Sequence, residues 1–171
     1  VVALHLLLSV LLIVLCVVLL RVAFDAEPAE TKPRIVALAR LTFALTMVSI
    51  VLGTLVTGTG PNAGDGGARR TGLDLELVAK IHAWSVWLLV AAAIACVVTM
   101  RTSESIAHLV VLGLQGIIGY VQYFTHLPIG LVIAHMVGVA LASATGAALL
   151  LSVKPERVLS TRANLAKQKR G

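Results

Sequence analysis

Five histidines carry most of the chemistry open to this sequence. His5, His82 and His135 each stand near the start of a long apolar stretch, in "ALHLLLS", "KIHAW" and "IAHM". Counted from the start of their stretches, the three fall at similar nominal depth. His108 lies early in a further apolar stretch, and His126 in the short proline-containing connection of "GYVQYFTHLPIGLVIAHM". Neutral imidazole is the commonest metal ligand among side chains and a frequent axial ligand of heme iron. One histidine alone in an apolar segment is more often an interfacial or interhelical hydrogen-bonding residue. Three at one depth, from three separate segments, favour ligation of a metal or of heme iron.

The residues beside these histidines admit two readings. Gly138, Ala142 and Gly146 follow His135 at helical spacing, Ser85, Leu89 and Ala93 follow His82, and Ser9, Leu12 and Cys16 follow His5. Such small-residue stripes leave room for a large flat ligand beside an imidazole. Close helix packing explains them equally well, and taken alone the stripes favour packing. Gly113, Gly116 and Gly119 are ambiguous in the same way. A weak internal repeat aligns "HLLLSVLLIVLCVVLLRV" with "HMVGVALASATGAALLLS" without gaps, as in membrane proteins built from two similar halves.

Elements able to position these groups follow from composition. The chain has 171 residues, 58% of them hydrophobic and 13% charged, and a mean hydropathy of +0.98. That balance excludes an ordinary soluble domain. Apolar runs at Val1–Leu20, Ile35–Val56, Ile81–Met100, Ile106–Phe124 and Ile129–Val153 each approach the ~20 residues that cross a bilayer as a helix. None alternates like a barrel strand. The fold class is therefore an all-α integral membrane protein with five transmembrane helices. Pro28 and Pro33 break the connection 21–34, and the loop 57–70 is rich in glycine and polar residues. Thr71 with Asp74 resembles a capping box, so the third helix is expected to start before the membrane surface.

The net charge of +6 and the pI near 9.9 do not indicate a nucleic-acid partner, because the basic residues lie in connections and tail rather than on one folded face. Their distribution orients the chain instead. Arg21, Lys32, Arg34, Arg40 and Arg101 share a side with Lys154, Arg157, Arg162, Lys167, Lys169 and Arg170. The opposite side has Arg69, Arg70 and Lys80, balanced by Asp65, Asp74 and Glu76. The positive-inside rule expects a multi-pass protein of the cell membrane with a cytoplasmic carboxyl tail and the glycine-rich loop outside. His5, His82 and His135 then lie toward the outer face and His108 toward the cytoplasmic one. Cys16 and Cys96 fall within spans, which argues against an extracytoplasmic structural disulfide. The first run is too long for a signal-peptide core and has no basic flank or cleavage site. Because it opens inside an apolar run, the chain reads as a stretch of something longer.

These motifs together resemble the heme A synthase family. "TGTGPNAGD" is similar to its outer-loop signature, "KIHAW" to its ligand-bearing helix start, "GYVQYFTHLPIGLVIAHM" to its last two helices and "ALHLLLS" to the helix ending its first half. The resemblance covers nearly all of residues 1–153. It departs at Asn62, where the family loop commonly has histidine, and at His126, where the turn commonly has glycine. The cysteine pair of some relatives is absent from this loop.

The resemblance implies two four-helix halves. Residues 1–20 would be the last helix of the first half and 21–34 a cytoplasmic connection. Residues 35–153 would form a heme-binding four-helix bundle, and 154–171 a basic cytoplasmic tail. It implies oxidation of the C8 methyl of heme O to the formyl of heme A, for cytochrome oxidase assembly. The second half would hold a low-spin heme b between His82 and His135, with Arg69, Arg70 and Lys80 as partners of its propionates. Solvated loop charges explain those three bases about as well. His5 would be one ligand of the substrate heme O. The catalytic carboxylate is expected before Val1, so residues 1–171 alone are expected to bind heme b without making heme A. Implied partners are heme O, heme O synthase, a membrane electron acceptor and the lipid bilayer. A compact variant would instead complete its site as a homo-oligomer of two copies. Two other classes fit the same residues, a cytochrome b-type electron carrier and a structural subunit of a respiratory assembly.

Overall fold

The computed structural model describes residues 2–61 and 71–156. Five helices dominate: α1 (Val2–Ala23), α2 (Pro33–Thr59), α3 (Leu75–Met100), α4 (Ser103–Phe124) and α5 (Ile129–Leu151). All five are long and apolar enough to cross a membrane. Burial is inverted relative to a water-soluble bundle. Large apolar side chains such as Leu12, Leu88, Val98, Ile117 and Ile133 point outward all around the molecule. Thr42, Thr46, Ser49, Thr54, Ser85, His108 and Ser143 are buried inside. Lipid solvates the first set, while small and polar residues let helices approach and bond to one another.

Helix boundaries follow local chemistry. Pro33 sits in the first turn of α2, where its missing N–H costs nothing. The cap of α3 is Asp74, whose side chain accepts from Leu77 N at 2.9 Å. Thr71 does not cap it but bonds the hydroxyl of Thr59 at 2.6 Å, closing the neck of the α2–α3 loop. α3 starts at Leu75, ahead of the apolar run that begins at Ile81, and its cap is Asp74 rather than Thr71. A reciprocal capping box does occur at Thr102 and Ser105, opening α4. Arg101 ends α3 in the left-handed conformation, at φ 54°.

α2 packs along α3, α4 along α5, α2 along α5 and α3 along α4. The four therefore form a ring in which α3 and α5 are diagonal. α1 lies outside it, against α5 and α2. A short parallel strand pair closes one end: β1 (Ala29–Thr31) bonds to β2 (Val153–Pro155). This joins the connection expected to be irregular to the first residues of the expected tail. At the same end Arg21 approaches Glu104 at 3.6 Å and donates to the Leu151 carbonyl at 3.2 Å. Lys154 reaches Glu27 at 3.3 Å. We call this the strand end, and the opposite end, with the α2–α3 loop and the α4–α5 turn, the loop end.

Candidate functional site

His82 and His135 lie in the second turns of α3 and α5, both near the loop end. They extend from the two diagonal helices. α2 and α4 place a glycine beside each ring. A Cβ on Gly53 would stand 3.3 Å from His82 Cε1, and one on Gly119 would stand 3.3 Å from His135 Cε1. All four helices thus contribute to one layer, two histidines and two glycines.

The layers beneath it are in register. One turn deeper, Ser49 of α2 and Ser85 of α3 bond hydroxyl to hydroxyl at 3.0 Å. In the other helix pair Gln115 of α4 donates to the His135 carbonyl at 2.9 Å, and its amide fills the space that a side chain on Gly138 would need. Two turns deeper, roughly 10 Å along the helices, Leu89, Leu112 and Ala142 are buried against one another with Ala93. This apolar layer is a floor between the histidine pair and the rest of the bundle.

Hydrogen bonding separates these histidines from the third buried one. His108, 0% exposed, has both ring nitrogens occupied: Nε2 meets Thr46 Oγ1 at 3.2 Å and Nδ1 meets Thr145 Oγ1 at 2.9 Å. His82 and His135 leave Nδ1 buried without a partner. Among the described residues neither Nε2 makes a hydrogen bond either, and neither is among the fully buried unpartnered atoms. Two further orphans, the side-chain oxygens of Gln115 and Gln122, lie on the same helix as Gly119, one turn to either side of it. Buried polar atoms are normally satisfied, and four of those left unpartnered among the described residues lie in this part of the bundle.

The other candidate residues are not gathered here. His5 is exposed on the periphery of α1, and its own-helix neighbours Leu12 and Cys16 are exposed as well. No group of three or more His, Cys, Asp or Glu side chains comes together among the described residues; a paired axial site needs only two. Lys80 is exposed and held by Glu76 at 2.6 Å. Arg69, Arg70, Asn62 and Asp65 lie outside the described residues. His126 is exposed in the turn, at φ 61°. The stripe Gly138–Ala142–Gly146 leaves no room for a macrocycle: Gln115 occupies the space at Gly138, while His108, Phe43 and Thr46 close on Gly146. Cys96 is buried against Thr42 at 3.3 Å, and Cys16 is exposed; neither is in a disulfide. A hollow of about 790 Å³ at the strand end has Lys32 and Arg34 facing Glu30 and Glu156, with no convergent donor set.

As a donor pair the two histidines suit a bis-imidazole heme. They stand on diagonal helices near the same end of the bundle, and no group of three or more His, Cys, Asp or Glu forms around them among the described residues. Each has a free Nε2 and a buried Nδ1. No protein-family model matches the chain, and no curated protein or solved structure matches it.

Proposed function

We propose that α2–α5 form a heme b bundle with His82 and His135 as axial ligands, in a protein of the heme A synthase type. The observation that carries this is the contrast among three histidines of one bundle. His108 is fully bonded to protein, whereas the facing pair His82 and His135 is not. A heme held by two imidazoles has no open iron position and supplies one-electron transfer rather than substrate chemistry. Here His82 and His135 would bind and orient it, Gly53 and Gly119 make space for the rings, and the layer of Leu89, Leu112 and Ala142 exclude water from below. The reaction assigned to the whole protein is oxidation of the C8 methyl of heme O to a formyl group, with water supplying the oxygen and the electrons leaving to a membrane acceptor. His5 is the proposed ligand of heme O.

One observation favours the cytochrome b-type carrier as a second reading: the histidines that gather are the pair suited to electron transfer, and His5 stands apart from them, exposed. Two measurements test the readings. The purified protein should give a low-spin heme b spectrum, abolished in His82→Ala and His135→Ala. A normal bis-histidine spectrum in either variant would refute the site. Expression of the whole protein, including anything that precedes residue 1, with heme O synthase, followed by chromatography of the extracted hemes, separates the two functions: heme O or heme A beside heme b marks the synthase, heme b alone the carrier.

A further inference from the structure

Glycine is the least committed residue in a helix, and the described helices place it in three kinds of surroundings. At Gly113, Gly116 and Gly130 an added Cβ would meet nothing within 4 Å. At Gly138 it would run into the Gln115 amide, and at Gly58 it would stand 3.3 Å from the Thr71 methyl. At Gly53, Gly119 and Gly146 it would face an imidazole edge, 3.3 Å from Cε1 of His82, 3.3 Å from Cε1 of His135 and 3.2 Å from Cε1 of His108. Gly53 and Gly119 lie on different helices and face the two rings whose Nδ1 has no partner, whereas the His108 ring at Gly146 has both nitrogens bonded to threonines.

We infer that Gly53 and Gly119 are positioning residues: each leaves room for one imidazole edge and so fixes the plane of that ring. This inference rests on the heme reading above. A ring held in one plane directs its nitrogen at the metal in one orientation.

An added methyl forces each ring to move by a few tenths of an ångström. A ring tethered at Nε2 yields by turning about its own axis. The experiment uses the full chain purified with its heme, comparing Gly53→Ala and Gly119→Ala with Gly113→Ala and Gly116→Ala. The readout is the low-spin electron paramagnetic resonance signal. Both seat variants are expected to shift the largest g value, which depends on the relative orientation of the two imidazole planes. Both controls are expected to match the wild type. Loss of heme from a folded seat variant, with heme retained in the controls, would support the seat equally. Unchanged g values in both seat variants, or an equal shift in Gly116→Ala, would overturn it. A wild-type protein with no low-spin signal would instead remove the heme reading, and this inference with it.

Discussion

Replacing His108 with alanine should destabilise the bundle while leaving the proposed heme site intact. The imidazole is fully buried and joins three helices, α2 through Thr46, its own α4, and α5 through Thr145. Each hydroxyl has a single proton, and each also reaches a carbonyl of its own helix, Thr42 at 2.9 Å and Leu141 at 2.8 Å. With one proton on the ring, one threonine accepts from His108 and the other donates to it. After truncation both hydroxyls fall back on their own helices, so neither is orphaned and the lost bonds cost little. Interhelical hydrogen bonds in membrane proteins average about 0.6 kcal/mol, roughly 1 kcal/mol for the pair. The cavity costs more, because cutting a large buried side chain to alanine loses on the order of 2–5 kcal/mol. The expected total is about 3 kcal/mol, read as a clear drop in thermal midpoint in detergent. His108→Gln, which keeps a polar head of similar reach, should recover part of it. The low-spin spectrum should be unchanged in both. An unaltered midpoint in His108→Ala, or loss of the spectrum from a folded protein, would refute the reasoning.

Three other perturbations test separate parts of the structure. His126→Gly should gain up to about 1 kcal/mol by relieving a left-handed residue in an exposed turn, without altering the spectrum; a loss of stability would show that the His126 side chain is needed. Gly138→Ala should cost about 1–3 kcal/mol because its methyl would overlap the Gln115 amide, and Gln115→Ala in the same chain should restore most of the loss; failure of the second change to rescue would refute the clash. With Cys16 and Cys96 replaced, Gly72→Cys should react with an impermeant maleimide on intact cells and Ser103→Cys only after permeabilisation; outside the described residues, position 64 should react as Gly72→Cys does and position 160 as Ser103→Cys does. The reverse pattern would put the histidine pair at the cytoplasmic face.

The spans were legible because lipid imposes a strong rule, length and apolarity together, that a sequence cannot satisfy by accident five times. What escaped reading depends on register between distant segments. Ala29–Thr31 and Val153–Pro155 are three residues each, with no alternation to signal a strand, and they pair across more than a hundred residues of chain. The Arg21–Glu104 contact is of the same kind. Stripes of small residues could be found by spacing, but their occupants could not. Gly138 and Gly146 accommodate Gln115 and His108, residues of another helix whose facing positions only the packed bundle reveals. The pairing of Gly53 with His82 and of Gly119 with His135 was hidden for that reason too, although Gly119 had been visible as one of three equivalent-looking glycines on α4.

Histidine identity and depth were legible, but neither property separates function from packing. Three buried or half-buried histidines occupy this bundle, and burial is greatest at His108, whose ring nitrogens are both bonded to threonines. The distinction lies in what the ring nitrogens face. A bilayer gives no water to an interior nitrogen, so selection for stability alone should supply each with a partner from a neighbouring helix, as Thr46 and Thr145 do for His108. Threonine or serine at positions 53 and 119 would put a hydroxyl against the rings of His82 and His135. Those positions are glycine, the residue least able to bond a side chain. The bundle thus satisfies a histidine in one layer and leaves the Nδ1 of two histidines unpartnered in another, and that difference is what the proposed ligation at the opposite ring nitrogen explains.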